Sequence, residues 1–216
     1  MSKLIFLSHI HEEKDLALLI KNALEEEFSG FVEVFVSSDG VSIPAGSNFL
    51  KRIEDGLIHC NAGLYLISPS SVKRNWINFE LGAIWIRNKV NILNNAEEIP
   101  AIPLCHSGML LSDLPQPINN LNGVQANISS QLEFAFKSIQ SAVGGKGRLK
   151  TDFDLLSSQV IEFEREYTLG ENLKKIFKII NGDIIKIYNF IDTNPHLNNL
   201  TLNLGMVETR KIEELK

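Results

Sequence analysis

Two side chains near the middle of the chain, Trp76 and Glu80, are of the types that do chemistry on sugars and bases. They stand four apart, as Trp-x-x-x-Glu, and the short polar run Ser68-Pro69-Ser70-Ser71 precedes them. If a helix opens near Asn75, the two share one face close to its amino end. There the helix dipole favours an ionised carboxylate, and an indole beside it offers a flat apolar wall on which a base or sugar stacks. The same spacing fits a surface glutamate on an amphipathic helix with a core tryptophan one turn earlier. Spacing alone leaves both readings open.

The elements that must position this pair follow from the apolar pattern. Continuous apolar runs at 4–7, 31–36, 62–67 and 99–104, with a weaker one at 123–126, each end in small polar residues. Between them, 13–28, 47–58, 75–88 and 130–142 carry apolar residues at spacings of three and four. Strands that are apolar throughout, alternating with helices, predict a mostly parallel α/β sheet covered on both faces. Ligands of such sheets bind beyond the carboxyl ends of the strands. Here those ends carry Ser8-His9, Ser37-Ser38-Asp39, Ser68 with Ser70, and His106-Ser107. Short polar residues also cap helices and make turns, and Asp39-Gly40 fits a turn as well as a ligand contact.

Gly144-Gly145-Lys146-Gly147 marks a boundary, giving a domain over 1–143, a glycine-rich linker at 144–150 and a helical extension over 151–216. The extension shows two helical stretches, 153–167 and 173–191, the second with a wide apolar face interrupted at Gly182. A net charge of −5 without a basic block argues against nucleic acid as partner. Cys60 and Cys105 are expected as buried, reduced thiols. No metal site is expected, because His9, His59 and His106 lack companions at metal-ligand spacing. The opening apolar run is too short for a signal peptide or membrane span, so a cytoplasmic protein without membrane contact is expected.

From Lys3 to about Ala142 the chain resembles a TIR domain, and specifically the bacterial kind that cleaves NAD. Leu4-Ile5-Phe6-Leu7-Ser8-His9 looks like the family's first box, and the stretch from Asp39 to Gly46 is similar to the loop after its second strand. That loop departs from the usual Pro-Gly in having Ala45 between Pro44 and Gly46. Ser70, Trp76 and Glu80 match the family's Ser–Trp–Glu segment. The run from Ile102 to Gly108, with Asp113-Leu114-Pro115 beyond it, is like the fourth-strand region.

The architecture expected is the flavodoxin-like one, five parallel strands with helices on both faces, that TIR domains share with other families. The resemblance implies an NAD+ glycohydrolase or ADP-ribosyl cyclase with Glu80 as the catalytic carboxylate and NAD+ as substrate, without a further cofactor. Chemistry makes one carboxylate sufficient. Ordinary glycosidases need a second carboxyl group to protonate a leaving oxygen, whereas nicotinamide departs from a pyridinium as a neutral molecule. Ser8 and His9 would line the floor of the site and Ser68, at the end of the third strand, would also contact the substrate. Ser38 and Asp39 would close over the ligand, and Trp76 would pack beside the sugar. The resemblance further implies self-association through TIR domains. It also implies a separate effector that senses the product, as in anti-phage defence systems such as Thoeris.

Three other readings compete. A non-catalytic TIR adaptor would need no glutamate in a cleft. A receiver or flavodoxin-like domain would want acidic residues or a phosphate loop after the first strand, where this chain has Ser8-His9. A nucleoside deoxyribosyltransferase-like enzyme would use Glu80 on a nucleoside.

Overall fold

The computed structural model describes residues 2–37 and 49–179. Five parallel strands form one sheet in the order β2-β1-β3-β4-β5: β1 (Lys3–Ser8), β2 (Val32–Val36), β3 (Ala62–Ile67), β4 (Ala101–Cys105) and β5 (Val124–Gln125). Ile5 pairs with Val34 and Ala62, and Ile67 with Cys105, so β1, β3 and β4 end side by side. This is the expected doubly wound fold, with the strand order reversing beside β1.

The helices are α1 (Lys14–Glu27), α2 (Phe49–His59), α3 (Asn75–Leu93), α4 (Ser129–Ala142) and α5 (Phe153–Ile179). The expected boundaries are shifted in two places. Helix α3 runs five residues past the expected Asn88, and residues 11–13 form a 3-10 turn ahead of α1. The two helical stretches expected in the extension form one helix as far as the described residues reach. The side chains from 172 onward, and with them the expected apolar face, lie outside the described residues.

Alternation along each strand divides the core into two layers. Ile5, Leu7, Val34, Val36, Leu64, Leu66 and Leu104 point toward α1, α4 and the start of α5, where Leu156 and Val160 are buried. Phe6, Phe35, Tyr65 and Ile67 point toward α2 and α3 and meet Ile53, Leu57, Ile77, Leu81 and Ile84. Phe6 and Phe35 stack with centroids 5.7 Å apart. Helix α2 crosses them at Gly56, where a Cβ would approach both rings to 3.1 Å.

The chain forms two compact units, Met1–Glu164 and Arg165–Lys216. Residues 144–150, expected as a linker, lie within the first. The Glu27 carboxylate accepts hydrogen bonds from the backbone N–H groups of Lys150 and Thr151, which fixes this segment to the end of α1. Among the described residues no helix is long and apolar enough to cross a membrane.

Candidate active site

The sheet's carboxyl edge is polar and buried. Ser8, His9, Ser37, Ser68 and His106 sit at or just past the strand ends, and all five are buried. Two glutamates reach the same edge from neighbouring helical elements, Glu80 from α3 and Glu13 from the turn before α1, each with no solvent exposure. Burying a carboxylate is costly unless hydrogen bonds or charges compensate. The two are compensated differently.

Glu80 is placed by the apolar stripe of α3. Ile77, Leu81 and Ile84 are buried at the spacing of one helix face, and Glu80 is buried at the margin of that face. The surface-glutamate alternative is therefore reversed: Glu80 is inside, while Trp76 is 41% exposed and stacks on Phe79 at 5.0 Å. The Ser8 hydroxyl, at the end of β1, donates to Glu80 Oε2. Oε1 is buried and accepts no well-formed hydrogen bond among the described residues. From below, the Tyr65 hydroxyl donates to the Glu80 backbone carbonyl at 3.4 Å.

Burial pushes the Glu80 carboxyl from the usual 4.5 up to about 7, while donation by Ser8 and, after it, the nearby Trp76 indole pull the other way. A group poised near neutrality in a polar sheet edge is a candidate for chemistry. Burial, with the negative charge of Glu80, drives the Tyr65 hydroxyl well above its ordinary range, so it remains a donor.

Glu13 accepts two hydrogen bonds and has a histidine nitrogen close by. Ser68 donates its hydroxyl to Oε1 at 2.6 Å, the Ile10 N–H donates to Oε2 at 3.2 Å, and His106 Nε2 lies 3.3 Å from Oε1. Ser68 also caps its own turn, accepting from the Ser71 N–H at 3.1 Å while its N–H donates to Ser71 Oγ at 2.7 Å.

Of the residues singled out by sequence, the structure brings Ser8, Glu80 and Trp76 together, with His9 following Ser8. Ser68 lies on the same edge, but its hydroxyl is committed to Glu13. Ser38 and Asp39 lie outside the described residues. Sequence reasoning passed over Glu13 and gave His106 no role. The signal for Glu13 was its place three and four residues before Leu16 and Ala17, on the buried face of α1. Cys60 and Cys105 are buried free thiols, pushed by burial up to about 11 and about 12. Among the described residues no cluster of three His, Cys, Asp or Glu could hold a metal ion.

Two comparisons bear on this geometry. The chain is 34% identical over 82 residues to a 2′ cyclic ADP-D-ribose synthase, BtTIR, of Bacteroides thetaiotaomicron. The match covers 38% of this chain and only 27% of that protein's length. A family model for the TIR domain matches residues 5–133, more than half of the chain and all five strands apart from the first two residues of β1. Together with the sheet order and the Trp76–Glu80 helix, this makes the chain a member of the TIR domain family.

Proposed function

We propose that this domain cleaves the nicotinamide–ribose bond of NAD+. The observation that carries the reading is Glu80: a buried carboxylate at the sheet's ligand-binding edge, ionising near neutrality, with one oxygen on Ser8 and the other short of a partner. In the proposed reaction the bond between ribose C1′ and the pyridinium nitrogen breaks heterolytically. Its electron pair leaves with nicotinamide, which departs neutral and needs no acid. The positive charge developing on the sugar is stabilised by the ionised Glu80 in a low-dielectric site, where such an interaction is strongest. Water then adds to C1′ and loses a proton to solvent, giving ADP-ribose. Where a group of the ADP-ribosyl moiety adds instead, a cyclic isomer forms.

The likeness to a 2′ cyclic ADP-D-ribose synthase supports both the substrate and the cyclic branch. Glu80 is enclosed, and half-exposed Trp76 lies one turn earlier on α3, where it would pack beside the sugar. The product would serve as a signal to a separate effector in anti-phage immunity, in line with the bacterial members that the sequence resembles.

One observation favours a second reading, a TIR interaction module. Helix α3 exposes Phe79, Trp85, Ile86, Val90 and Leu93 to solvent, Leu93 by 82%, and exposed apolar area of this kind marks contact surfaces. Self-association through this face is compatible with catalysis. The test is incubation of the full chain with NAD+ and chromatography of the products. Nicotinamide release that disappears in Glu80→Gln supports the enzyme. Release that survives the substitution removes Glu80 from the mechanism, and no release from a self-associating wild-type chain leaves the interaction module.

A further inference from the structure

The buried Glu13 has no part in the chemistry above, yet among the described residues its carboxylate meets groups that follow three different strands. Its carboxylate accepts hydrogen bonds from Ile10 after β1 and Ser68 after β3, and lies 3.3 Å from His106 Nε2 after β4. The Glu13 N–H returns a hydrogen bond to the Ile10 carbonyl at 2.9 Å, so the turn carrying Ser8-His9-Ile10 is closed from both sides. Ser8, two residues before Ile10, is the donor to Glu80.

The same network has an outer end. His106 Nδ1 lies 2.9 Å from Ser107 Oγ, and the His106 ring meets that of Phe163 at 5.9 Å. Ser107 has φ 52°, a left-handed conformation that is unfavourable for a non-glycine residue. Such a conformation persists only where its surroundings enforce it. Here the enforcing group is Glu164 of α5, which accepts the Ser107 N–H at 2.8 Å and the Asn127 side-chain amide at 3.0 Å. Both Phe163 and Glu164 lie beyond the residues matched by the family model.

We propose that Glu13 is a positioning residue, the centre of a brace running from Glu164 through Ser107 and His106 to the turn after β1, which holds the Ser8 hydroxyl on Glu80. The proposal rests on the NAD-cleaving reading for its importance to catalysis, but the hydrogen-bond relation it asserts does not. It is therefore tested by a readout independent of turnover, the Glu80 titration midpoint followed through its carboxyl carbon by NMR in the full chain. Among the described residues, Tyr65 of β3 donates to the Glu80 carbonyl and stays protonated across that range, and buried His9 follows Ser8 on the same edge.

Ser8→Ala removes a donor to the carboxylate and raises the midpoint. If Glu13 holds Ser8 in place, Glu13→Gln raises it too, by about half a pH unit or more, and adding Ser8→Ala to Glu13→Gln moves it no further than Ser8→Ala alone. Simple loss of a neighbouring negative charge would lower the midpoint. A merely stabilising role would lower the melting temperature and leave the midpoint unchanged. Either result overturns the proposal. Should Glu13→Gln fail to fold, Glu164→Ala on half-buried α5 decides in its place: a smaller rise supports the brace, and an unmoved midpoint overturns it. Nicotinamide release by wild type against Glu80→Gln, measured alongside, reports separately on the parent reading.

Discussion

Two carboxylates are buried a few residues from one sheet edge, and they are held in opposite ways. Glu13 has donors on both oxygens and a histidine beside it, whereas Glu80 has Ser8 on one oxygen and an incompletely satisfied second oxygen. A fully bonded buried group holds its surroundings in place, because removing any partner strands the others. A buried group left one bond short retains capacity for an incoming charge, and its own ionisation moves into the physiological range. In this pair, the distribution of hydrogen bonds separates the two carboxylates more sharply than burial does, since both are fully buried.

The strongest way to break this contrast is to neutralise Glu80. Glu80→Gln is expected to abolish nicotinamide release, a loss of about a thousandfold or more if the carboxylate carries the transition-state charge. It is also expected to stabilise the protein in a pH-dependent way. The native pKa of about 7 lies above the unfolded value of 4.5, so the folded state holds its proton more tightly. Wild-type stability from this group is therefore highest below about pH 4.5 and declines as pH rises toward 7, the total cost being about 3 kcal/mol. Glu80→Gln should melt higher than wild type at pH 8, with the gap closing by pH 4.5. A variant that is both inactive and less stable at pH 8 would show that Glu80 is compensated as fully as Glu13. The same ionisation predicts that wild-type kcat/KM rises with pH through about 7.

Ser68→Ala tests the other carboxylate. It removes the 2.6 Å donor from Glu13 and the cap of the turn after β3, with an expected stability loss of about 1–3 kcal/mol by urea denaturation. Because its hydroxyl faces Glu13, KM for NAD+ should change by less than about threefold. A large rise in KM with unaltered stability would return Ser68 to the substrate-contact role that the sequence suggested for it.

The fold was legible because parallel strands buried on both faces leave continuous apolar runs, and five such runs separated by helical periodicity admit few arrangements. The Trp76–Glu80 pair was legible as a spacing, but its orientation was not. Trp76 is the larger apolar residue, so a pattern reading puts it inside and the glutamate outside. The neighbours of Glu80 carry the better signal, since Ile77, Leu81 and Ile84 form a stripe at spacings of four and three whose margin position 80 joins. Glu13 was hidden for the same reason, as a charged residue on an apolar face reads as the end of the stripe. The partner that makes its burial tolerable, Ser68, is 55 residues away in sequence. The role of α5 was illegible, because Glu164 meets Ser107 only through the tertiary fold.

The smallest expected effect sharpens the contrast within the Glu80 site itself. Trp76→Phe keeps an aromatic wall but removes the indole N–H, the weaker of the two groups that draw the Glu80 pKa downward. The acid limb of kcat/KM should therefore shift to higher pH, as in Ser8→Ala, but by less. Since Trp76 is 41% exposed, stability should change by less than about 1 kcal/mol. If instead KM rises several-fold with the acid limb unmoved, the indole acts as a surface for the substrate and contributes nothing to Glu80 ionisation. Ser8 would then stand as the sole side chain that tempers this carboxylate, and the difference between one satisfied oxygen and two would be the entire physical distinction between Glu80 and Glu13.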